Sequence, residues 1–545
     1  MQYIVGLDIG GTKCAVILAK AGLKIEMVGR IQFPSHADEG FTPLWERIVE
    51  KTGELVKEHG LSFKNIRAIG VSCGGPLNGR TGRVLSPPNL PGWDDIPITQ
   101  MLTDRFQVPA FLQNDANAGA LAEWKLGAGQ VSSHMLFLTM GTGFGCGVIS
   151  DGRLLTGTND LLGEVGHIRL APDGPVGFGK AGSAEGFCGG SGIKQLIQIE
   201  TKELLKNGHT PAWVSDGYQE EELSAKLLSE YAHRGDPDAL RLWDMVGERL
   251  GEAVSYLIDL FNPSCIVIGS IFARCEKLLR PAMERAIERE AIPGARAVCE
   301  IKPAQLRDQI GDYASVLTAC LGLGLMPVST DAPKACAKAH YDMLFERYPQ
   351  LKPLSGQIMD AFCLLRECFS SGHKLLICGN GGSAADADHI VGELMKGFYL
   401  KRELTGADYT QAAAAFGNGA QEPRLLQKAL PAIALTNHSA LFTAFSNDVE
   451  PDLAFAQQVL GYGKKGDVLI AISTSGNSKN VCNAVKLARQ MGLRTIALTG
   501  PGQSTLSALC DVTIACPGES TAQVQECHLP VYHTLCAMIE AEFFG

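Results

Sequence analysis

The chain reads Cys378-Gly-Asn-Gly-Gly-Ser383 after one short apolar run and Asp8-Ile-Gly-Gly-Thr-Lys13 after another. In both places glycines stand where a strand must turn sharply into the next element. Glycine lets backbone N–H groups approach an anion closely, so both turns are predicted to bind phosphate groups. Two such turns, far apart in the sequence, indicate two active sites on one polypeptide.

The composition is typical of a globular α/β protein with several domains. A length of 545 residues is enough for about three or four domains. The formal charge of -10 gives no basic surface for nucleic acid or anionic lipid. The 17 cysteines are odd in number and form no C-x-x-C pair. Because no leader peptide or long apolar run is visible either, we expect a soluble cytoplasmic protein.

The first part of the chain shows the pattern of a two-lobed ATPase of the actin-like (ribonuclease H-like) fold. Residues 3–17 and 135–149 each read as a strand, a glycine turn and a second strand, which predicts two phosphate-binding hairpins. We expect an N-lobe at 1–118 and a C-lobe at 119–325. Residues 326–339 lose periodicity and are predicted to be a linker.

Residues 340–545 repeat a unit of strand, Gly/Ser turn and helix, which predicts a parallel sheet covered on both faces. The turn Ser473-Thr-Ser-Gly-Asn-Ser478 follows its strand just as the Ser383 turn does, so the two turns are expected to hold one phosphate. Residues 400–430, including Ala412 to Ala420, show no strand pattern and are predicted to form a mobile insertion or a lid.

Three further motifs carry a resemblance in the first part: Ser86-Pro-Pro-Asn-Leu-Pro-Gly-Trp93, Gln113-Asn-Asp115 and Gly163-Glu-Val-Gly-His167. With the Asp8 turn and in this order, they resemble the ROK family of sugar kinases over about residues 1–325. The resemblance implies that Asp115 is the general base for phosphoryl transfer from Mg-ATP. It also implies phosphate or nucleotide binding by Asp8, Gly10, Gly11, Thr12, Lys13, Gly141, Thr142, Gly143, Gly145, Gly269 and Ser270, and sugar binding by Asn89, Asn114, Glu164, His167 and Glu185.

Two departures from that family narrow the expectation. Residues 176–183 contain no cysteine where many ROK proteins carry a zinc loop, so no structural zinc is expected in this half. The first phosphate turn begins at residue 8, which leaves no room for the DNA-binding module of the ROK repressors. Two plainer roles remain open, because Asp115 could be a helix N-cap and His167 a buried, hydrogen-bonded imidazole.

Helical spacing in the second part is compatible with a metal site, although His389 and Glu393 alone would be read as a solvated pair on a helix face. His389 and Glu393 are one turn apart on one face, and Gln525 and His533 are two turns apart on another helix. With both phosphate turns, this set resembles the SIS fold, a doubly wound parallel α/β sandwich, and its sedoheptulose 7-phosphate (phosphoheptose) isomerase branch. The resemblance implies a homotetramer, zinc bound by all four residues, Glu393 and His533 as the acid/base pair, and sugar-phosphate binding by Asn380, Gly381, Gly382, Ser383, Ser473, Thr474, Ser475 and Ser478.

Two features of the second part differ from that branch or complicate it. Asn437 and His438 stand where the family usually has an aspartate, and Pro530 is expected to kink the helix that carries His533. The sequence therefore predicts a bifunctional enzyme that phosphorylates a sugar and interconverts aldose and ketose phosphates. The alternative is a sugar kinase regulated by a SIS half that binds a sugar phosphate without chemistry.

Overall fold

A computed structural model describes residues 2–130, 132–328, 332–416 and 421–545. The chain divides into two compact units, residues 1–327 and 328–545. Within the described residues, no helix combines the length and the apolar character needed to cross a membrane.

The first unit opens with a mixed five-stranded sheet. Its strands and those of an adjoining two-stranded ribbon are β1 (Gln2–Ile9), β2 (Lys13–Ala21), β3 (Ile25–Pro34), β4 (Ile66–Cys73), β5 (Leu77–Asn78), β6 (Arg83–Val84) and β7 (Ala110–Asn114). The helices are α1 (Phe41–Glu58), α2 (Ile98–Phe106) and α3 (Asp115–Leu126). The sheet order is β3-β2-β1-β4-β7, and β1 and β2 form the predicted antiparallel hairpin.

A second five-stranded sheet follows in the same unit. Its strands and those of a small ribbon are β8 (Met135–Met140), β9 (Phe144–Ser150), β10 (Arg153–Leu155), β11 (Val176–Gly177), β12 (Lys180–Ala181), β13 (Cys265–Ile268) and β14 (Glu300–Pro303). The helices are α4 (Ala184–Cys188), α5 (Gly190–Lys206), α6 (Ala212–Ser215), α7 (Ala225–His233), α8 (Pro237–Phe261), α9 (Ile271–Glu290), α10 (Pro293–Arg296) and α11 (Ile310–Leu323). The sheet order is β10-β9-β8-β13-β14, and β8 and β9 form the second predicted hairpin.

The last helix of this unit packs on the first sheet. A Cβ on Gly70 of β4 would lie 2.1 Å from the Ser315 carbonyl of α11, so only glycine lets the helix approach this closely. The predicted lobe boundaries therefore need correction. The predicted boundary between residues 118 and 119 falls inside the continuous helix α3. Helix α11 lies in the predicted C-lobe range but packs against the N-lobe sheet.

The second unit is a parallel sheet with helices on both faces, as predicted. Its strands are β15 (Leu375–Gly379), β16 (Ala432–Ala434), β17 (Val468–Ser473), β18 (Arg494–Thr499) and β19 (Val512–Ala515), in the order β16-β15-β17-β18-β19. The helices are α12 (Ala335–Arg347), α13 (Ser355–Ser370), α14 (Gly382–Met395), α15 (Gly406–Phe416), α16 (Ser439–Asp448), α17 (Ala454–Tyr462), α18 (Lys479–Gln490), α19 (Thr505–Leu509) and α20 (Thr521–Phe544). Buried side chains of α17 and α18 pack on one face, and those of α13, α14 and α20 pack on the other.

Three local expectations for this unit can be compared with the structure. Helix α12 begins at Ala335, so the linker prediction is wrong for residues 335–339. The segment 400–430 contains α15, which has no buried residue, and a bridge between Glu403 and Gln427. Residues 417–420 of the predicted lid lie outside the described residues. Helix α20 runs through Pro530 from Thr521 to Phe544, and the kink expected at this proline stays a prediction.

Candidate functional site

In the first unit each hairpin turn lies against another segment that carries a predicted ligand-binding residue. A Cβ on Gly11 would lie 2.5 Å from the Asn89 carbonyl, so the Asn89 loop packs directly on the first turn. In the second turn, the Gly141 and Thr142 carbonyls accept hydrogen bonds from the backbone N–H groups that begin α5. A Cβ on Gly141 would lie 3.8 Å from Ser270 Oγ, so Ser270 adjoins this turn.

Asp8 ends β1 and lies against the N-terminus of α11. A Cβ on Gly311 would come within van der Waals overlap of Asp8 Oδ2. The pKa of Asp8 is raised to about 6, mainly by burial and also by the nearby Asp115 and Asp312, whereas Lys13 and Arg30 oppose the shift. Sequence reasoning missed Asp312, which is buried and accepts two hydrogen bonds from Arg30 Nε at 3.0 and 2.8 Å. A carboxylate on the first turn of a helix gives no signal of such a distant partner.

The N-cap of α3 is Asn114 and not Asp115. Asn114 Oδ1 accepts from Ala116 N at 3.0 Å and Asn117 N at 3.4 Å. The Asp115 carboxylate also accepts from Ala116 N at 2.8 Å, and part of it faces the open cleft. The protein atoms around it desolvate the carboxyl and raise its pKa to about 6, with a further contribution from Glu164, although the Ala116 N–H opposes the shift.

The predicted sugar-binding side chains gather around this carboxylate. Burial raises the pKa of Glu164, and the negative charge of Glu185 adds to the effect, whereas His167 lowers it. Glu185 Oε2 accepts from the Phe144 N–H at 3.1 Å, which fixes it beside the second turn. His167 is exposed, so the buried-imidazole alternative is wrong. Glu164 thus lies near Asp115, and Glu185 and His167 lie near Glu164, which suits a polyhydroxylated ligand.

In the second unit the two predicted phosphate turns lie side by side. Gly381, with φ of 55°, turns the chain into α14, and Ser383 is buried in the first turn of this helix. Ser473 Oγ lies 3.0 Å from Ser478 Oγ and 3.4 Å from Ser475 Oγ. Sequence reasoning missed Asn480, whose side-chain amide exchanges two hydrogen bonds of 2.9 Å with that of Asn380. This amide pair connects the two turns.

His389, Glu393 and His533 form a compact group. His389 Nε2 lies 3.2 Å from Glu393 Oε1 and 3.4 Å from His533 Nε2, and one donor atom from each residue fits within 4.8 Å of the others. Within the part of the chain that the structure describes, it is the one such group of histidine, cysteine and carboxylate side chains. Glu393 Oε2 is buried and has no hydrogen-bond partner among the described residues. Two imidazole nitrogens facing each other beside a carboxylate fit a divalent ion such as zinc.

Gln525 lies beside the first phosphate turn. A Cβ on Gly382 would come within overlap of Gln525 Nε2. Its role as a fourth zinc ligand stays a prediction. Burial and the neighbouring His389 lower the pKa of His533, and Glu393 opposes this shift.

Sequence reasoning also missed the roles of two residues beside this group. The Tyr532 hydroxyl lies 3.0 Å from His389 Nδ1 and 3.2 Å from Asp386 Oδ1. Asp386 precedes His389 by one helical turn, and Tyr532 precedes His533. Tyr532 could be read from the sequence only as part of the buried face of its helix.

The fold and the two sites define an actin-like ATPase unit joined to a doubly wound α/β unit with paired phosphate turns. The model of the ROK family matches residues 4–317, and the chain belongs to this family. A model of the SIS domain matches residues 405–500. Both resemblances seen in the sequence are thereby confirmed.

Individual relatives match each unit over most of their own length. Over 313 residues the chain is 30% identical to a glucokinase of Halalkalibacterium halodurans, which covers 57% of the chain and 92% of that protein. Over 200 residues it is 34% identical to a phosphoheptose isomerase of Akkermansia muciniphila, covering 37% of the chain and 93% of that protein. The chain also resembles the crystal structure of a ROK family transcriptional regulator, a homolog of the E. coli MLC protein, with a TM-score of 0.51 and 22% identity. The match covers 58% of this chain and 77% of the regulator chain. That likeness shows the fold alone.

Proposed function

We propose that the chain is a bifunctional enzyme of carbohydrate metabolism. Its first unit transfers the terminal phosphate of Mg-ATP to a sugar hydroxyl, and its second unit interconverts the aldose and ketose forms of a sugar phosphate. The observation that carries the second activity is the meeting of His389, Glu393 and His533. The first activity rests on family membership and on the desolvated carboxylate of Asp115.

In the first unit, Asp115 takes the proton from the sugar hydroxyl as that oxygen attacks the phosphate. A carboxyl with a pKa of about 6 is deprotonated near neutral pH and is a stronger base than an ordinary aspartate. Glu164, Glu185 and His167 orient the sugar hydroxyls, and Asn89 and Asn114 adjoin them. Asn114 uses its carbonyl oxygen for capping, so its amide hydrogens remain donors for the sugar. Mg²⁺, held by ATP and Asp8, would neutralise charge on the transferred phosphate.

In the second unit, Glu393 moves a proton between the two reacting carbons and His533 serves their oxygens. The two carboxylate oxygens of Glu393 have different surroundings. Oε1 faces His389 and would bind the metal ion, whereas Oε2 has no hydrogen-bond partner among the described residues and is able to take the proton. Zinc held by His389, Glu393 and His533 would polarise the oxygens on those carbons. The Ser383 and Ser473 turns bind the phosphate, and Gln525 adjoins that end of the site.

We also propose that the second unit assembles into a homotetramer. Helices α15 and α16 carry no buried residue in the single chain, although both contain aromatic and aliphatic side chains. Phe416 of α15 is 50% exposed and Leu441 of α16 is 39% exposed. Such faces are what a neighbouring copy would cover.

Two single substitutions in the full chain test the two activities. With ATP and a panel of hexoses and heptoses, we expect the wild-type protein to form a sugar phosphate and to isomerise it. Asp115→Asn should lower phosphorylation by about 100-fold or more, because the base is lost, and leave isomerisation unchanged. His533→Ala should abolish isomerisation of added sugar phosphates and leave phosphorylation unchanged. If either substitution removed both activities, the proposal of two separate sites would be wrong.

One observation favours the sensor alternative, namely the position of the Gln525 amide against Gly382 at the phosphate turn. A unit that only binds sugar phosphate needs the serine turns but not the His389 group. The alternative predicts tight binding of a sugar phosphate without isomerisation, and phosphorylation rates that change when that ligand is added. Analysis of bound metal in the purified protein, combined with an isomerisation assay, separates the two functions.

A further inference from the structure

A buried tyrosine connects His389 to a carboxylate one helical turn before it. The Tyr532 hydroxyl is within hydrogen-bond distance of both His389 Nδ1 and Asp386 Oδ1, at 3.0 and 3.2 Å. Tyr532 is 2% exposed, and its ring meets that of His389 edge to face with centroids 5.6 Å apart. Packing as well as hydrogen bonding therefore fixes the order Asp386, Tyr532, His389.

The hydroxyl carries a single hydrogen, so the two hydrogen bonds must run in the same direction. When Tyr532 donates to Asp386, its oxygen accepts from His389, and the His389 proton is on Nδ1. Nε2 then directs a lone pair toward the space it shares with Glu393 and His533. In the opposite direction Tyr532 donates to Nδ1, the His389 proton moves to Nε2, and this proton blocks a metal ion.

Asp386 selects the first direction. Its Oδ1 is an acceptor, whereas the imidazole is able to donate or to accept depending on its tautomer. Tyr532 is the side chain within hydrogen-bond distance of Oδ1, and Oδ2 is buried without a partner among the described residues. Among the described residues, the Asp386 carboxyl group therefore accepts from the Tyr532 hydroxyl without competition from another donor.

We infer that Asp386 and Tyr532 are positioning residues that hold His389 in its Nδ1–H tautomer and thereby make Nε2 a metal ligand. This inference rests on the proposed function, because the ion in question is the zinc of the isomerase site. Partners that orient a ligating histidine typically contribute 10- to 100-fold in metal affinity. Zinc affinity is therefore the direct readout, independent of turnover.

The test is zinc binding to the full chain, measured by competition with a chromophoric chelator. Tyr532→Phe keeps the ring but leaves the His389 tautomer unconstrained, so we expect affinity to fall about 10-fold. In Asp386→Leu the tyrosine has no acceptor other than Nδ1 and imposes the wrong tautomer, so the loss should approach 100-fold. In the double variant, Asp386→Leu with Tyr532→Phe, no hydroxyl remains to impose the wrong tautomer. Zinc affinity should therefore recover to about the level of Tyr532→Phe alone.

Recovery in the double variant is the result that a merely structural role would not give, since two packing defects add or worsen each other. Tyr341→Phe is the matched control, because its hydroxyl donates to the Ser355 carbonyl in the same unit and its loss should leave zinc affinity unchanged. Melting of the zinc-free proteins reports on folding. Tyr532→Phe with wild-type zinc affinity would overturn the inference on its own. Failure of the wild-type protein to bind zinc would instead overturn the proposed isomerase site, and the inference with it.

Discussion

At the scale of single residues, the protonation of Asp115 should set the acid limit of phosphorylation. Its pKa of about 6, against an ordinary 3.8, means that the carboxyl gains its proton as the pH falls through about 6. The base is active only without that proton, so kcat/KM should decline below about pH 6 rather than below about pH 4. The measurement is a pH profile of sugar phosphorylation at saturating Mg²⁺, which keeps Asp8 deprotonated.

A neighbouring charge checks this assignment. Glu164 raises the pKa of Asp115, so Glu164→Gln should move the acid limb to lower pH even if it also weakens sugar binding. The pH at which kcat/KM falls to half is measured separately from the maximal kcat/KM, which reports on sugar binding as well. An acid limb near pH 4 in the wild-type protein would contradict the raised pKa of Asp115, and a limb that did not move in Glu164→Gln would show that Asp115 is not the titrating base.

At the scale of elements, a buried ion pair anchors the turn that follows α14. Arg402 Nε lies 2.8 Å from Glu540 Oε1, and both side chains are at most 1% exposed. Glu540 also accepts from the N–H groups of Phe398, Tyr399 and Leu400. Arg402 in turn donates to the carbonyls of Leu394 and Glu393 at the end of α14. The pair therefore connects α20 to the helix end that carries Glu393.

Breaking this pair from one side should destabilise the second unit strongly. Glu540→Gln leaves the Arg402 charge buried without its counterion, so we expect unfolding to cost about 3 kcal/mol less. Urea unfolding of the full chain, with probes for each unit, should show the shift in residues 328–545 alone. Glu403→Gln is the matched control, because its pair with Lys401 is exposed and solvated. An equal shift in both variants would contradict a special role for the buried pair.

The sequence predicted most strands and turns because their signals are local. The hairpin glycines, the apolar runs and the serine turns each act over a few residues, and Asn114, Asp115, His389 and Glu393 stand where those signals place them. Partners set by tertiary packing were not predictable. Asn480 meets Asn380 only because β15 and β17 are neighbours, and Asp312 meets Asp8 only because α11 packs on the first sheet.

Gln525 shows the limit of helical spacing most clearly. A separation of eight residues places Gln525 and His533 on nearly one face of α20, but it does not say which turn of the opposite helix each one meets. That depends on Gly382, whose missing side chain leaves room for the Gln525 amide beside the phosphate turn. The same alignment brings Tyr532 to His389, and no pattern within α20 alone could indicate it.

At the scale of the whole molecule, the two units should respond separately to metal removal. The His389, Glu393 and His533 group lies in residues 328–545, whereas the Asp8 and Asp115 cleft lies in residues 1–327. We expect a zinc-selective chelator, used with excess Mg²⁺, to reduce isomerisation to background and leave phosphorylation unchanged. Added Zn²⁺ should restore isomerisation in the wild-type protein but not in His533→Ala, because that variant lacks a ligand. Parallel assays on one chelated sample provide the comparison. A matching fall in phosphorylation would mean that the two activities do not depend on separate sites.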